Sequence, residues 1–335
     1  MRMTFLGLKP RPRTSAAFTA VAAAFVLAAC SGGGPTLTAA DQPLGKDAMM
    51  LLGRKGMDQG APMFIRIFKE ESELEVWKAR DDGRFYHFKT YPICNWSGSV
   101  GPKTEYGDHQ APEGFYRVTA AQMNPNSQYY LAFNLGYPNA YDRALQRTGD
   151  SLMVHGKCKS VGCYAMTDAL IEEIYGLARE SLKGGQQNID VHAFPFRMTA
   201  ENMARYKENP NYGFWRTLKQ GYDFFETYRF PPTVAVCERR YLVNVKVSPN
   251  ASIRPDAACP RFSHPAYEPF VPKPEEQQLA SERVTVPGPK MREVAIAAPQ
   301  PTPDGRPAGG GTFGPSYGLG APVSTGATSS LGFSQ

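Results

Sequence analysis

The segment Ser151 to Thr167, SLMVHGKCKSVGCYAMT, sets His155 and Cys163 eight residues apart, bracketed by glycines, between an apolar strand-like run and a helix start. A thiol attacks as its thiolate, and an imidazole that accepts the proton keeps the anion populated near neutral pH. Cys163 is therefore the candidate nucleophile and His155 its general base and acid. The backbone N–H groups of Gly162 and Cys163 are expected to face the oxyanion of a tetrahedral intermediate, and Gly162 has no side chain to obstruct a substrate. A helix beginning after Thr167 would lower the thiol pKa further if its N-terminus aimed at the sulfur. Lys157 and Lys159 would add positive potential. No acidic residue lies in the motif, so a backbone carbonyl or a remote residue, such as Asp142 or Asp168, must fix the His155 tautomer. Taken alone, the pair also reads as a buried histidine and a structural thiol. A zinc site from His155, Cys158 and Cys163 lacks a fourth ligand, and a Cys158–Cys163 disulfide would silence the nucleophile. No metal and no cofactor are expected.

The elements around this segment follow from periodicity. LMV (Leu152 to Val154) reads as a buried strand delivering His155 at its end, with Gly156 allowing an immediate turn. Upstream, MFIRIFKEESELEVWKA (Met63 to Ala79), FYHFKTYPIC (Phe85 to Cys94), GFYRVT and YYLAFNL (Tyr129 to Leu135) are strand-like runs separated by Gly and Pro. After the motif, Thr167 can cap a helix whose apolar face is Leu170, Ile171, Ile174, Tyr175, Leu177 and Ala178, ended by Gly184-Gly185. VHAFPFRMT (Val191 to Thr199) is another strand. Trp215, Leu218, Tyr222 and Phe225 form one stripe of a second helix that stops before Pro231-Pro232. The expected fold class is a β-rich α+β domain with helices after the catalytic loop, over residues 60–268.

The termini read differently. Arg2, Lys9, Arg11 and Arg13 precede an apolar stretch ending Leu27-Ala28-Ala29-Cys30, too short for the ~20 residues of a spanning helix and suited to a signal peptide over residues 1–29. The residues before Cys30 resemble a bacterial lipobox, which implies cleavage before Cys30 and lipid on its thiol; the bland reading is a signal peptidase site with an incidental cysteine. Ser31 resembles the residue found in lipoproteins sorted to the outer membrane. An exported, lipid-anchored protein at the periplasmic face of that membrane is the expectation. Residues 30–59 suit a tether, and residues 269–335, rich in Pro, Gly, Ala, Ser and Thr, suit a disordered tail. The formal charge of +6 includes the four basic residues of the signal, so the remaining chain gives no support to a nucleic-acid partner. With Cys30 lipidated and Cys163 free, Cys94, Cys158, Cys237 and Cys259 allow three pairings. Cys237 with Cys259, flanking the strand-like YLVNVKV run (Tyr241 to Val247), is preferred; a set of inert buried thiols is the rival.

The His-Gly followed by Ser-x-Gly-Cys resembles the active-site motif of L,D-transpeptidase catalytic domains, which act on bacterial peptidoglycan. APEGFYRVT (Ala111 to Thr119) resembles the segment those domains carry before the active site. NPNSQYYLAFNLGYPNAYDRA (Asn124 to Ala144) resembles the branch that includes the enzyme releasing the outer-membrane lipoprotein from peptidoglycan. The resemblance spans roughly residues 60 to 245. It implies the compact mixed-sheet fold of the family, a carbonyl next to His155 to orient it, Ser160 as a loop-shaping hydrogen bonder, and acyl transfer on stem peptides through a Cys163 thioester. Peptidoglycan stem carboxylates would be met by Arg143, Lys103 or Arg197, with Tyr137 and Asn134 lining the groove. The chain departs from the wider pattern in a four-residue spacer between His155 and Ser160, Val161 in place of a second histidine, and no arginine in Tyr164-Ala165-Met166. These departures leave open whether bonds are made or cut. The alternatives are an amidase acting on crosslinks or on the peptidoglycan–lipoprotein bond, and a catalytically silent peptidoglycan-binding lipoprotein.

Overall fold

The computed structural model describes residues 37–274 and Glu276. The expected signal peptide, Cys30 and most of the tail lie outside the described residues. In chain order the elements are α1 (Lys46–Arg54), β1 (Met63–Phe68), β2 (Glu73–Ala79), β3 (Phe85–Pro92), β4 (Asn95–Trp96), β5 (Gly114–Val118), β6 (Met123–Ser127) and β7 (Tyr130–Asn134). There follow α2 (Ala140–Ala144), β8 (Met153–His155), β9 (Tyr164–Ala165), α3 (Asp168–Lys183), β10 (Ile189–Phe194), α4 (Ala200–Arg205) and α5 (Tyr212–Tyr228). The short strands β11 (Val234–Cys237), β12 (Arg240–Val243), β13 (Lys246–Val247) and β14 (Phe262–Ser263) complete the set.

Two five-stranded sheets carry the fold, ordered β3-β2-β1-β10-β5 and β4-β9-β8-β7-β6. Both are mixed, since β1 with β10 and β8 with β9 run parallel while their other pairings are antiparallel. The chain is thus the α+β, mixed-sheet protein that its periodicity and family resemblance implied. β1 reads MFIRIF and is buried at every position, as a strand covered on both faces must be. Ile65 and Ile67 enter the main core with Val191, Phe133, Val154 and Ile174, which joins the two sheets and α3. Phe68 faces the other way, into a cluster with Phe194 and with Trp215, Leu218 and Tyr222 of α5. Arg66 shares that second face. Its guanidinium lies 4.6 Å from the Tyr222 ring and 2.6 Å from Glu226.

The helices form for the expected reasons. Thr167 caps α3 by accepting the Leu170 N–H, and the six apolar positions read as its inner face are all buried. α5 buries Trp215, Leu218, Tyr222 and Phe225 and ends at Arg229, in the left-handed region at φ 59°, before the Pro pair. Among the described residues no helix is long and apolar enough to cross a membrane.

Three stretches differ from the sequence expectation. The region read as a tether through residue 59 contains α1, whose Ala48, Leu51 and Leu52 are buried in the main core. A nine-residue helix between glycines has too little pattern to stand out, yet the Ala-x-x-Leu-Leu spacing puts three apolar groups on one face. The start of the region read as tail is docked: the Phe270 N–H donates to the Thr227 carbonyl at 2.8 Å and Arg80 pairs with Glu276 at 3.2 Å. The run Tyr241 to Val247 is divided into β12 and β13 at Asn244, which takes φ 51°. Cys237 and Cys259 are disulfide-bonded, as are Cys94 and Cys158.

Candidate active site

β8 and β9 bring the two chemical residues together. Val154 pairs with Tyr164 and His155 with Ala165 in their parallel ladder. Carried back one step, that register sets Cys163 beside Met153, whose N–H donates to Cys163 Sγ at 3.4 Å. Residues two apart on a strand share a face, so Cys163 shares its face with His155. A strand spacing of about 4.8 Å and a two-residue rise of about 6.6 Å separate their Cα atoms by roughly 8 Å, within the joint reach of an imidazole and a thiol. Both line one cleft of about 500 Å³.

His155 is only 3% exposed. Its Nδ1 donates to the Gly156 carbonyl at 2.7 Å, which leaves Nε2 as the acceptor. Among the described residues Nε2 has no hydrogen-bond partner. The orienting group is therefore the adjacent carbonyl implied by the family resemblance. Asp168 instead accepts the Lys157 N–H at 2.8 Å, and Asp142 pairs with Arg147 at 2.8 Å, away from the ring. Gly156 is required by close approach, because a Cβ there would lie 2.6 Å from Asp168 Oδ1 and 2.9 Å from the Tyr129 carbonyl oxygen.

Burial dominates the electrostatics of both groups. It pushes the His155 pKa below the ordinary imidazole value, against an opposing contribution from the Gly156 carbonyl. It pushes the Cys163 thiol above its ordinary value, against the Met153 N–H and the charge of Lys103, which favour the anion. Burial thus works toward the neutral form of each group, while the Met153 N–H and Lys103 work toward the thiolate. The two residues of β9 and then Met166 and Thr167 separate Cys163 from α3, whose first turn meets Lys157 through Asp168.

The catalytic loop is tied down by hydroxyl groups. Ser160 Oγ donates to the Cys163 carbonyl at 2.6 Å and accepts the Cys163 N–H at 3.0 Å, as a loop-shaping residue would. Gly162 sits at φ 96°, the left-handed region that favours glycine. Its N–H donates to Ser97 Oγ, whose proton goes to the His109 carbonyl. Both N–H groups expected to face an oxyanion donate to serine hydroxyls, Gly162 to Ser97 and Cys163 to Ser160. Cys158 is joined to Cys94, which withdraws it from the zinc trio and from pairing with Cys163.

The cleft wall facing the loop was missed as a site feature. Asn124, Ser127, Gln128 and Tyr129 of the β6–β7 hairpin line it. The Tyr129 ring lies 4.6 Å from the His155 ring, tilted by 43°. The Tyr129 carbonyl accepts the Gly156 N–H at 3.0 Å, and Lys157 Nζ donates to the Gln128 carbonyl at 2.7 Å. The only signal was NPNSQYY, which carried family resemblance but no chemistry of its own.

None of the four substrate-binding candidates lines the cleft. Lys103 is 5% exposed and paired with Asp108 at 2.5 Å; it reaches the site only through its field. Tyr137 is buried, its hydroxyl donating to the Lys103 carbonyl at 3.2 Å. Asn134 closes a turn by accepting the Gly136 N–H at 2.8 Å. Arg143 donates to the Pro138 carbonyl and lines a different cavity. Arg197, the further carboxylate candidate, is held between Glu73 and Glu75. The cation that does line the cleft is Lys159.

Residues 63–189 match the family model for the L,D-transpeptidase catalytic domain, YkuD. The provisionally named L,D-transpeptidase YafK of Escherichia coli K12 is 47% identical over 189 residues, covering 56% of this chain and 76% of YafK; YafK of strain O157:H7 gives the same figures. Among solved structures, the helical cell shape determining protein Pgp2 from Campylobacter jejuni is similar at 16% identity and TM-score 0.33, over 56% of this chain and 79% of that one. Bd1075 of Bdellovibrio bacteriovorus is similar at 19% identity and TM-score 0.28, over 50% of this chain and 64% of that one.

Proposed function

Because the chain belongs to the L,D-transpeptidase catalytic-domain family, and so to peptidoglycan-related enzymes, we propose that it performs acyl transfer on peptidoglycan stem peptides with Cys163 as nucleophile and His155 as general base and acid. One observation carries the reading: the thiol and the Nε2 edge of a tautomer-fixed imidazole share one face of adjacent strands and open on one cleft. As Cys163 Sγ attacks the amide carbonyl carbon, its proton passes to His155 Nε2. The C–N bond then breaks, Nε2 returns the proton to the leaving amine, and a thioester remains on Cys163. Burial that favours the neutral form of each group suits this sequence, since the proton then moves as the substrate carbonyl is attacked.

An amine acceptor gives transpeptidation and water gives hydrolysis. The second outcome has an observation of its own. Among the described residues lining the cleft, Lys159 is the charged side chain and no carboxylate is present to hold an acceptor ammonium. An amidase acting on crosslinks or on a lipoprotein bond is therefore the second reading. In either case Lys159 is suited to a stem carboxylate. Lipid anchoring through Cys30 at the periplasmic face of the outer membrane completes the proposal, and it rests on the Leu27-Ala28-Ala29-Cys30 sequence.

Mass spectrometry of the protein and its Cys163→Ala variant with tetrapeptide muropeptides, crosslinked dimers and lipoprotein-linked muropeptides tests the assignment. Crosslinks or D-amino-acid exchange that vanish in the variant establish a transpeptidase, and monomers or released lipoprotein peptide that vanish establish an amidase. Equal products from both proteins, or none from either, would turn the assignment to a silent peptidoglycan-binding protein.

A further inference from the structure

A second cavity, of about 260 Å³, opens at the β5 edge of the first sheet and shares no lining residue with the cleft. Its floor follows from register. Asp190 pairs with Arg117 and His192 with Phe115 across β10 and β5, so the four side chains share one face. Asn139 and Arg143 enter from the start of α2, and the β11–β12 hairpin closes the remaining side. No residue of α5, which covers the rest of this face, lines it.

The polar groups here are incompletely used. Arg117 donates through Nε to Asp190 at 3.0 Å, and Arg143 donates through one Nη to the Pro138 carbonyl. Among the described residues the other guanidinium nitrogens of both have no partner. His192 is 1% exposed, forms no hydrogen bond, and has its Nδ1 wholly enclosed. That nitrogen has no surface through which a ligand could reach it, and the ring lies edge-on against Phe64 and Phe115. Two guanidiniums against one carboxylate leave the rim positive. Planar guanidinium forks match a carboxylate, while Asp190 on the floor opposes a dianion and accepts a hydrogen bond.

We propose that this cavity binds the free carboxylate end of a short peptide, with the carboxylate on Arg117 and Arg143 and the terminal amide N–H toward Asp190, beside the His192 ring that lines the cavity. The volume suits one or two residues. The inference goes beyond the reaction proposed for Cys163 and stands without it.

N-acetylalanine is the probe, titrated into histidine-labelled protein while the His192 ring resonances are followed. The expected result is a saturable shift that persists after carboxamidomethylation of Cys163 and weakens about tenfold or more in Arg143→Ala, which removes an exposed side chain with a single backbone contact. N-acetylalaninamide should leave the resonances unmoved. The proposal is overturned by the absence of saturation up to about 10 mM. It is overturned equally by sulfate binding as tightly as the carboxylate, by the amide binding as well as the acid, or by loss of the shift on blocking Cys163. Failure of the Cys163 reaction would leave all of these outcomes unchanged.

Discussion

Replacing Tyr129 with alanine separates two devices that position His155. The carbonyl of residue 129 would still accept the Gly156 N–H, so the peptide that orients Nδ1 stays held. What is lost is the ring that packs 4.6 Å from the imidazole. Aromatic contacts of this kind contribute about 0.5–1.5 kcal/mol beyond their buried area. At 1.36 kcal/mol per tenfold, removing one slows the Cys163 reaction by about 2- to 13-fold if the contact is fully felt in the transition state. The pH dependence supplies a second, signed readout. Burial holds the His155 pKa below its ordinary value, and opening one side of the ring to water lets it climb back. The rise of Cys163 alkylation by iodoacetamide, followed between about pH 5 and pH 9, should then move to higher pH in Tyr129→Ala. Tyr129→Phe keeps the ring and should track the parent protein in both rate and profile. A Phe variant as impaired as the Ala variant, or an Ala variant with the parent's rate and profile, would refute the assignment of the ring as the positioning element.

Removing the Cys94–Cys158 bridge by a double alanine substitution opens a 64-residue span and should lower stability by about 4 kcal/mol on the chain-entropy argument, against about 3 kcal/mol for the 22-residue Cys237–Cys259 span. Urea unfolding measures both, and only the first pair is expected to slow Cys163 alkylation, since Cys158 lies in the loop. Leu52, 2% exposed in α1, should cost about 2–5 kcal/mol on substitution by alanine; an unchanged urea midpoint would return α1 to the status of a tether. Burial alone would raise the Glu75 pKa, but the Arg66 and Arg197 guanidiniums outweigh it and hold the carboxyl at about 2. A depressed native pKa contributes stability above the unfolded carboxylate value, so this contribution should fade as pH falls from the ordinary carboxylate range toward about 2. The urea midpoint measured down that range should fall less steeply in Glu75→Gln.

The chemical pair and both long helices were legible because their signals are local. His155 and Cys163 lie within one motif, and α3 and α5 each repeat an apolar stripe over several turns. β1 was legible as a strand, but its parallel partner β10 lies more than a hundred residues away, and nothing in an alternating pattern names a partner at that distance. The missed parts of the site have the same cause. Tyr129 meets His155 only because β7 pairs with β8, and Ser97 reaches Gly162 from a loop before β5. Arg143 and Tyr137 have suitable side-chain chemistry and lie near family-like segments, and neither property says which way a residue faces. The Cys94–Cys158 bridge joins the end of β3 to the catalytic loop, a contact that cysteine counting leaves as one of three possibilities.

The parallel β8–β9 ladder separates two properties that many active sites couple. The sulfur and the imidazole are held in alignment through the register of neighbouring strands, while the connection between those strands exposes Lys157, Lys159 and Val161 and is anchored near its start at Cys158. Changes in the exposed part of that connection, where Val161 is 72% accessible, can alter which molecules gain entry without re-aiming either reacting atom. The arrangement behaves as a fixed bearing with a small interchangeable faceplate, so descendants or engineered versions of this chain can vary Val161 and explore new guests while Gly156, Ser160 and Gly162 keep the proton-transfer geometry in place.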